Sequence, residues 1–311
     1  MTSASPSDAA PSIRDRSTSA DRSTREIVGA YIRLTKPRVV ELLLITTVPS
    51  MVLAQRGWPR TWLVIATVFA GALAAGGANT INSWIERDRD KLMKRTADRP
   101  LPTGLINATH ALIFGIALNV IAFIALWAVA NLLAALLTMA ATLFYIFVYT
   151  IWLKPRTEQN IVIGGAAGAV PVLVGWAAVT NTVAATAWVM FAIIFTWTPA
   201  HFWALAMKYR DDYAAADFPM HSVRHTPRET SIQITVYAAL TAIVTLLLGA
   251  TTHVGPLYLV SAVALGAAFI AGALRLIRDP QPSNAIKFFG FSNIYLMLVF
   301  FAAMADVSRA G

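Results

Sequence analysis

The residues best placed to do chemistry lie between positions 82 and 102, where a long apolar run gives way to Asn-Ser-Trp-Ile-Glu-Arg-Asp-Arg-Asp-Lys. Asn82, Glu86 and Asp90 recur every four residues, so on a helix they share one face. Two carboxylates and an amide oxygen on one face are hard donors of the kind that hold a divalent cation such as magnesium. Lys91, Arg95 and Arg99 repeat the spacing, and on a continuing helix they extend the acidic row with a cationic one. Acids that hold a metal beside a row of cations are what a metal-bridged diphosphate requires on its two sides. A solvated loop of ordinary salt bridges uses the same residue types, and that is the simpler reading of Arg87, Asp88, Arg89 and Asp98.

A second polar block begins at His201 and runs through Lys208, Asp211, Asp212, Tyr213 and Asp217. Lys208 and Asp212 are again four apart and share a helical face, whereas Asp217 points elsewhere if the helix continues. Ionisable residues at the ends of apolar helices face a cavity or water rather than lipid, which makes them functional candidates. The two blocks are spaced like the halves of a weak duplication. A pocket between half-bundles suits an amphiphile, with its polar head at the charged loops and its apolar tail among the helices.

The elements that must position these residues follow from composition. Of 311 residues, 57% are hydrophobic and 13% charged, and the apolar residues come in runs rather than in alternation. About 20 apolar residues are needed to cross a bilayer as a helix. Nine segments qualify, near 39–55, 61–84, 108–129, 132–152, 161–178, 184–207, 231–250, 256–274 and 286–305. The expected fold is therefore all-α, a polytopic membrane protein whose nine helices bundle around a central cavity. Residues 31–311 form that single domain and residues 1–30, polar and rich in Ser and Arg, form a disordered tail.

Counting Lys and Arg by loop sets the orientation, because cytoplasmic loops carry the excess. Of the 25 basic residues, only Arg56, Arg60 and Arg309 fall on the minority side, which places the amino terminus and the charged loops in the cytoplasm. The net charge of +9 is explained by this bias and by attraction to anionic lipid, with no nucleic acid required. There is no cysteine, so thiolate metal sites, disulfides and cysteine nucleophiles are excluded.

The run Asn82-x-x-x-Glu86-x-x-x-Asp90, continued by Met93, Arg95-Thr96 and Arg99-Pro100-Leu101-Pro102, resembles the first aspartate-rich motif of the intramembrane aromatic prenyltransferase superfamily. Other segments look like its heme-directed branch, the protoheme IX farnesyltransferases. These are Leu34-Thr35-Lys36-Pro37-Arg38, Asn160 with Gly164-Gly165-x-x-Gly168 and Pro171, His201-Phe-Trp, Asp211-Asp212-Tyr213, Glu229-Thr230 and Phe289-x-x-Ser292-x-x-Tyr295. Lys208-x-x-x-Asp212 stands where quinone enzymes carry two aspartates, and that too is similar to the heme branch. Asp217 departs from the pattern, standing where Gly is expected, as do His221 and Ser222, where Leu and Pro are expected. The resemblance spans about residues 30–306.

It implies transfer of the farnesyl group of farnesyl diphosphate to a vinyl group of protoheme IX, with water addition, giving heme O. It implies Mg2+ held by Asn82, Glu86, Asp90 and Asp212, with Lys208 beside them in the catalytic set. Lys36, Arg38, Lys91, Arg95 and Arg99 would bind the diphosphate, and Asn160, His201 and Tyr213 would contact substrate. His110 and His201 are the histidines placed to orient heme iron, and His221 and His225 carry no assigned role. Trp84, Tyr145, Tyr149, Trp203 and Tyr213 could shield an allylic cation, although interfacial belts and packing use aromatics routinely. Gly164, Gly165 and Gly168 open room for a macrocycle or, more simply, let helices pack closely. The acids in the tail argue for a bacterial plasma membrane over a mitochondrial one. Partners then comprise the lipid bilayer, the two substrates and downstream heme-modifying enzymes or terminal oxidases. The alternatives are a prenyltransferase acting on a quinone precursor and, from another class, a secondary transporter, whose polar residues belong at the bilayer midplane rather than at helix ends.

Overall fold

The computed structural model describes the backbone of residues 23–252 and 254–310, and the side chains of these residues except 38–45 and 308–310. Helix α1 (Thr24–Thr35) starts at Ser23, whose side chain accepts from the Glu26 amide, and ends at Lys36, which takes a left-handed φ of 51°. Its start lies inside the stretch expected to be a tail, because Ala30 and Leu34 bury an apolar face against the charged end of the bundle. Residues 1–22 lie outside the described residues.

The bundle consists of α2 (Arg38–Gln55), α3 (Thr61–Asp90), α4 (Ala108–Val129), α5 (Leu132–Leu143), α6 (Asn160–Thr180) and α7 (Ala185–Lys208), followed by two short helices, α8 (Arg210–Ala215) and α9 (His221–Arg224), and then α10 (Pro227–Thr251), α11 (Pro256–Arg278) and α12 (Pro282–Ala310). Helix α5 runs on as a π-helix, Phe144–Leu153. Among the described residues every element is helical, and eight helices are long and apolar enough to cross a membrane. Helix α2, whose side chains 38–45 lie outside the described residues, is not among those eight, so eight rather than the nine expected spans are counted among the described residues, and the nine expected segments coincide with helices of the bundle to within one residue. Large apolar side chains such as Ile65, Phe69 and Val260 are more than 60% exposed on the outer surface, as a lipid-facing wall requires.

Lipid tails are as apolar as the helices, so association depends on close packing and interhelical hydrogen bonds rather than on burial from water. Gly77 of α3 meets Gly115 of α4 at such a contact. A Cβ on Gly77 would stand 2.6 Å from the Gly115 carbonyl and collide with the Asn119 amide, and a Cβ on Gly115 would stand 2.8 Å from Ile81. Asn119 donates to the Gly115 carbonyl at 2.9 Å and accepts from Thr142 at 2.9 Å, linking α4 to α5. Ser50 of α2 donates to the Val172 carbonyl of α6 at 2.5 Å, next to Pro171, and the Trp197 indole of α7 donates to the Ser292 carbonyl of α12 at 2.9 Å.

Overpacking a core position typically costs about 1–3 kcal/mol. Gly77→Leu should therefore lower the thermal midpoint of the purified protein by several degrees, measured by intrinsic fluorescence in detergent. Gly29→Leu, where a Cβ meets nothing within 4 Å, should not. Equal midpoints would contradict the close α3–α4 contact.

Candidate active site

At the charged end, α3 buries its last turns. Asn82, Glu86 and Asp90 are 2%, 6% and 2% exposed, and each is held by a partner from another segment. Lys36, between α1 and α2, donates to the Asn82 side-chain oxygen at 3.1 Å. The Asn82 amide in turn donates to Thr150 at 3.2 Å. Lys154 pairs with Glu86 at 2.5 Å, and Arg99 donates from Nη1 to both oxygens of Asp90 at 3.0 and 2.8 Å. From the connection between α7 and α10, Asp212 accepts from the Arg95 amide at 3.2 Å. The Arg95 guanidinium lies over the rings of Tyr209 and Tyr213 at 5.0 and 5.9 Å. Phe218 carries Arg89 at 4.7 Å and Lys154 at 4.6 Å on its ring. Four stretches far apart in sequence thus meet at one polar cluster.

The cationic row expected on a continuing helix is not formed. Helix α3 stops at Asp90, where Thr96 caps the Asp90 carbonyl at 2.8 Å. Pro100 and Pro102 disfavour helix at Arg99 and Leu101, the residues that precede them. The chain turns back, so Arg99 reaches Asp90, Arg95 reaches the Asp212 side, and Lys91 stays outside, paired with Asp88 at 3.0 Å. Likewise Lys208 and Asp212 do not share a helical face. The chain breaks at Tyr209, whose φ of −110° and ψ of 29° end α7, leaving Lys208 exposed and Asp212 half-buried. The Arg38 side chain lies outside the described residues. Asn160 is fully buried at the start of α6 and donates to the Thr157 carbonyl at 2.6 Å, while its own side-chain oxygen has no partner among the described residues.

His201 faces α12, where its ring lies between Trp197 and Phe289. Asp217 is exposed with φ of 52°, the left-handed region that glycine adopts most easily, which accounts for the resemblance having glycine there. His221 stacks on His225 at 4.2 Å, and His225 meets Glu158 at 3.0 Å. Burial, then the neighbouring His225, lowers the pKa of His221. His110 lines an apolar surface groove of about 560 Å3 between α1 and α4, away from the acids.

Lys154 and Thr150 were not singled out by spacing. Lys154 reads as one more basic residue at the charged end, and only the wide turn of the π-helix brings Thr150 to Asn82. That turn is marked by Lys154 donating to the Tyr149 carbonyl at 2.8 Å, five residues back. Loss of hydration, followed by the charge of Arg99, brings the Lys36 ammonium down to about 7. Burial raises the Tyr213 phenol, keeping it protonated at neutral pH.

Below the cluster lies a cavity of about 350 Å3 between α2, α3, α5, α6 and α7. Asn79, one turn before Asn82, and the stacked rings of Tyr145 and Tyr149 (5.5 Å) line it together with small residues, Gly71, Ala75, Gly164 and Gly168 among them. Gly164 allows the Tyr149 ring to press on α6, whereas a Cβ at Gly168 or Gly71 would meet nothing within 4 Å. These two glycines are therefore not explained by close helix packing, and their effect is open space.

Magnesium characteristically takes one or two protein carboxylates and completes its shell with water and phosphate oxygens. Glu86 and Asp90, a turn apart, with the Asn82 oxygen a turn further and Asp212 opposite, offer that chemistry. Among the described residues no three His, Asp or Glu side chains converge on one point.

A helical bundle with acids and cations at one end, above an apolar cavity, defines an intramembrane prenyl-transfer architecture. The chain belongs to the UbiA prenyltransferase family, whose model matches residues 43–301. It is 52% identical over 303 residues, 96% of each chain, to protoheme IX farnesyltransferase 1 of Saccharopolyspora erythraea. It is 50% identical over 282 residues to the protoheme IX farnesyltransferase of Mycobacterium avium, covering 90% of this chain and 91% of that one. Among solved structures it resembles a digeranylgeranylglyceryl phosphate synthase, with TM-score 0.74 and 16% identity over 91% of this chain and 99% of that one. It also resembles a UbiA homologue from Archaeoglobus fulgidus bound to DMAPP and Mg2+, with TM-score 0.63 and 17% identity over 89% and 99%.

Removing one partner of a buried ion pair typically costs about 3–5 kcal/mol, because the other charge is left uncompensated. Lys154→Met should be strongly destabilising in ligand-free protein, and adding Glu86→Gln should recover most of the loss. Thermal or denaturant unfolding of the single and double variants checks this, and simple additivity would contradict the pair.

Proposed function

We propose that the chain transfers the farnesyl group of farnesyl diphosphate to a vinyl carbon of protoheme IX, with addition of water, to give heme O at the cytoplasmic side of a bacterial plasma membrane. The observation that carries this reading is the stacking of a buried acid–cation cluster directly above an apolar cavity, in a chain half identical to proteins named for that transfer. Farnesyl diphosphate has the matching shape, a polyanionic head and an apolar tail. Its head lies among Glu86, Asp90, Arg95, Arg99, Lys36 and Lys154, and its tail runs past Tyr145 and Tyr149 toward Gly168 and Gly71.

The reaction breaks the C1–O bond of the farnesyl group, and the diphosphate leaves with the electron pair. The vinyl π electrons form the new bond to C1, and water captures the remaining cation on the porphyrin side chain and loses a proton. The Arg99 guanidinium, which uses Nη1 alone on Asp90 in the ligand-free chain, can present two nitrogens to phosphate oxygens, whereas Lys36 and Lys154 act as point charges. The Asn82, Glu86, Asp90 and Asp212 oxygens would hold magnesium, which would supply neutralisation of the leaving diphosphate. The Tyr145, Tyr149 and Tyr213 rings shield the developing allylic cation from water. Products then pass to heme-modifying enzymes or terminal oxidases in the same membrane.

Purified protein incubated with protoheme, farnesyl diphosphate and magnesium, with an EDTA control, should yield hydroxyethylfarnesyl heme by mass spectrometry. Asp90→Asn and Asp212→Asn should each lower turnover by roughly 100-fold or more while leaving folded protein. Farnesyl diphosphate binding without heme modification would redirect the reading to a quinone-precursor acceptor, and twofold effects in both variants would remove the acids from the reaction. Gly168→Phe places a ring in the cavity. It should slow farnesyl transfer roughly tenfold or more while sparing a five-carbon donor, and equal effects on both donors would contradict the tail position.

A further inference from the structure

His201 is held in a way the transfer chemistry above does not use. Its Nδ1 lies 2.7 Å from Ser292 Oγ, and that hydroxyl donates to the Phe289 carbonyl at 2.6 Å. A hydroxyl has one proton, so Ser292 can only accept from the ring, and Nδ1 carries the hydrogen. The Nε2 lone pair is therefore free of the Ser292 contact, and among the described residues Nε2 of this half-buried side chain has no hydrogen-bond partner. Trp197 and Phe289 cover the two ring faces, with centroids 4.1 and 4.3 Å away and interplanar angles of 20° and 30°. Ser292 is fully buried, and its carbonyl accepts from the Trp197 indole at 2.9 Å, so the support is itself anchored between α7 and α12.

One nitrogen donating to a fixed oxygen while the other presents a lone pair is the arrangement of a metal-ligating imidazole, whose supporting hydrogen bond sets the tautomer and the ring plane. On the same turn of α7, Thr198 and Phe202 line the cavity, so His201 stands at the cavity's level, one face further round the helix. We infer that Nε2 of His201 is the axial ligand that anchors the iron of the porphyrin substrate between α7 and α12. The flanking rings hold the imidazole edge-on to that plane. The inference rests on protoheme being the acceptor and adds how the acceptor is fixed, since a macrocycle held through its iron can keep a vinyl group turned toward C1 of the prenyl donor.

The test is a titration of the full chain in lipid nanodiscs with hemin and, separately, with iron-free protoporphyrin IX, read by Soret absorption and electron paramagnetic resonance. Wild type should bind hemin with a histidine-ligated signature and prefer it over the iron-free ring by roughly tenfold or more. His201→Ala should lose both the signature and the preference while still binding farnesyl diphosphate, and added imidazole should restore the signature. Equal binding of the two rings by wild type, or an unchanged hemin signature in His201→Ala, overturns the ligation and leaves the proposed reaction standing. Binding of farnesyl diphosphate with no binding of either ring overturns the acceptor and the ligation together.

Discussion

A carboxylate taken out of water at the mouth of an apolar bundle is tolerated only with a counter-charge beside it. Helix α3 carries Glu86 and Asp90 into that position, and their neutralisation organises the charged end of the molecule. Glu86 draws in Lys154 from the end of the π-helix, and Asp90 turns the following loop back through Arg99. Asn82 ties Lys36 to Thr150, while Asp212 fastens the α7–α10 connection to Arg95. The helices below need only leave a space, and they do so with small residues of α3 and α6.

The same pairs bear on function. In ligand-free protein the cations neutralise the acids. A metal-bridged diphosphate offers each side a better partner, positive charge for the carboxylates and phosphate oxygens for the arginine and lysines. In the proposed reaction, binding would be an exchange of partners that limits the desolvation cost of bringing a polyanion to the membrane boundary.

The helical class, the apolar segments of the eight membrane-length helices and the acidic face of α3 were legible in the sequence, because hydropathy and four-residue spacing are local properties. What spacing missed are the places where the chain leaves helical geometry. The cationic row at Lys91, Arg95 and Arg99 dissolves into a turn capped by Thr96, and Lys208 parts from Asp212 at Tyr209. Lys154 was counted as a topology charge, since nothing in its neighbourhood signals a partner 68 residues earlier. The glycines of α6 divide by position, Gly164 seating the Tyr149 ring and Gly168 facing open space, a difference that only the packing of a second helix creates.

The central claim is that a prenyl diphosphate displaces the Lys154–Glu86 and Arg99–Asp90 pairs and threads its tail into the cavity beneath them. The most direct measurement is a cryo-electron microscopy structure of the chain with magnesium and an unreactive thio analogue of farnesyl diphosphate. The expected density places the diphosphate between Glu86, Asp90 and the Arg95–Asp212 contact, with both ion pairs opened and the chain running past Tyr149 toward Gly168. A diphosphate bound elsewhere, with both pairs closed and the cavity empty, would contradict the account.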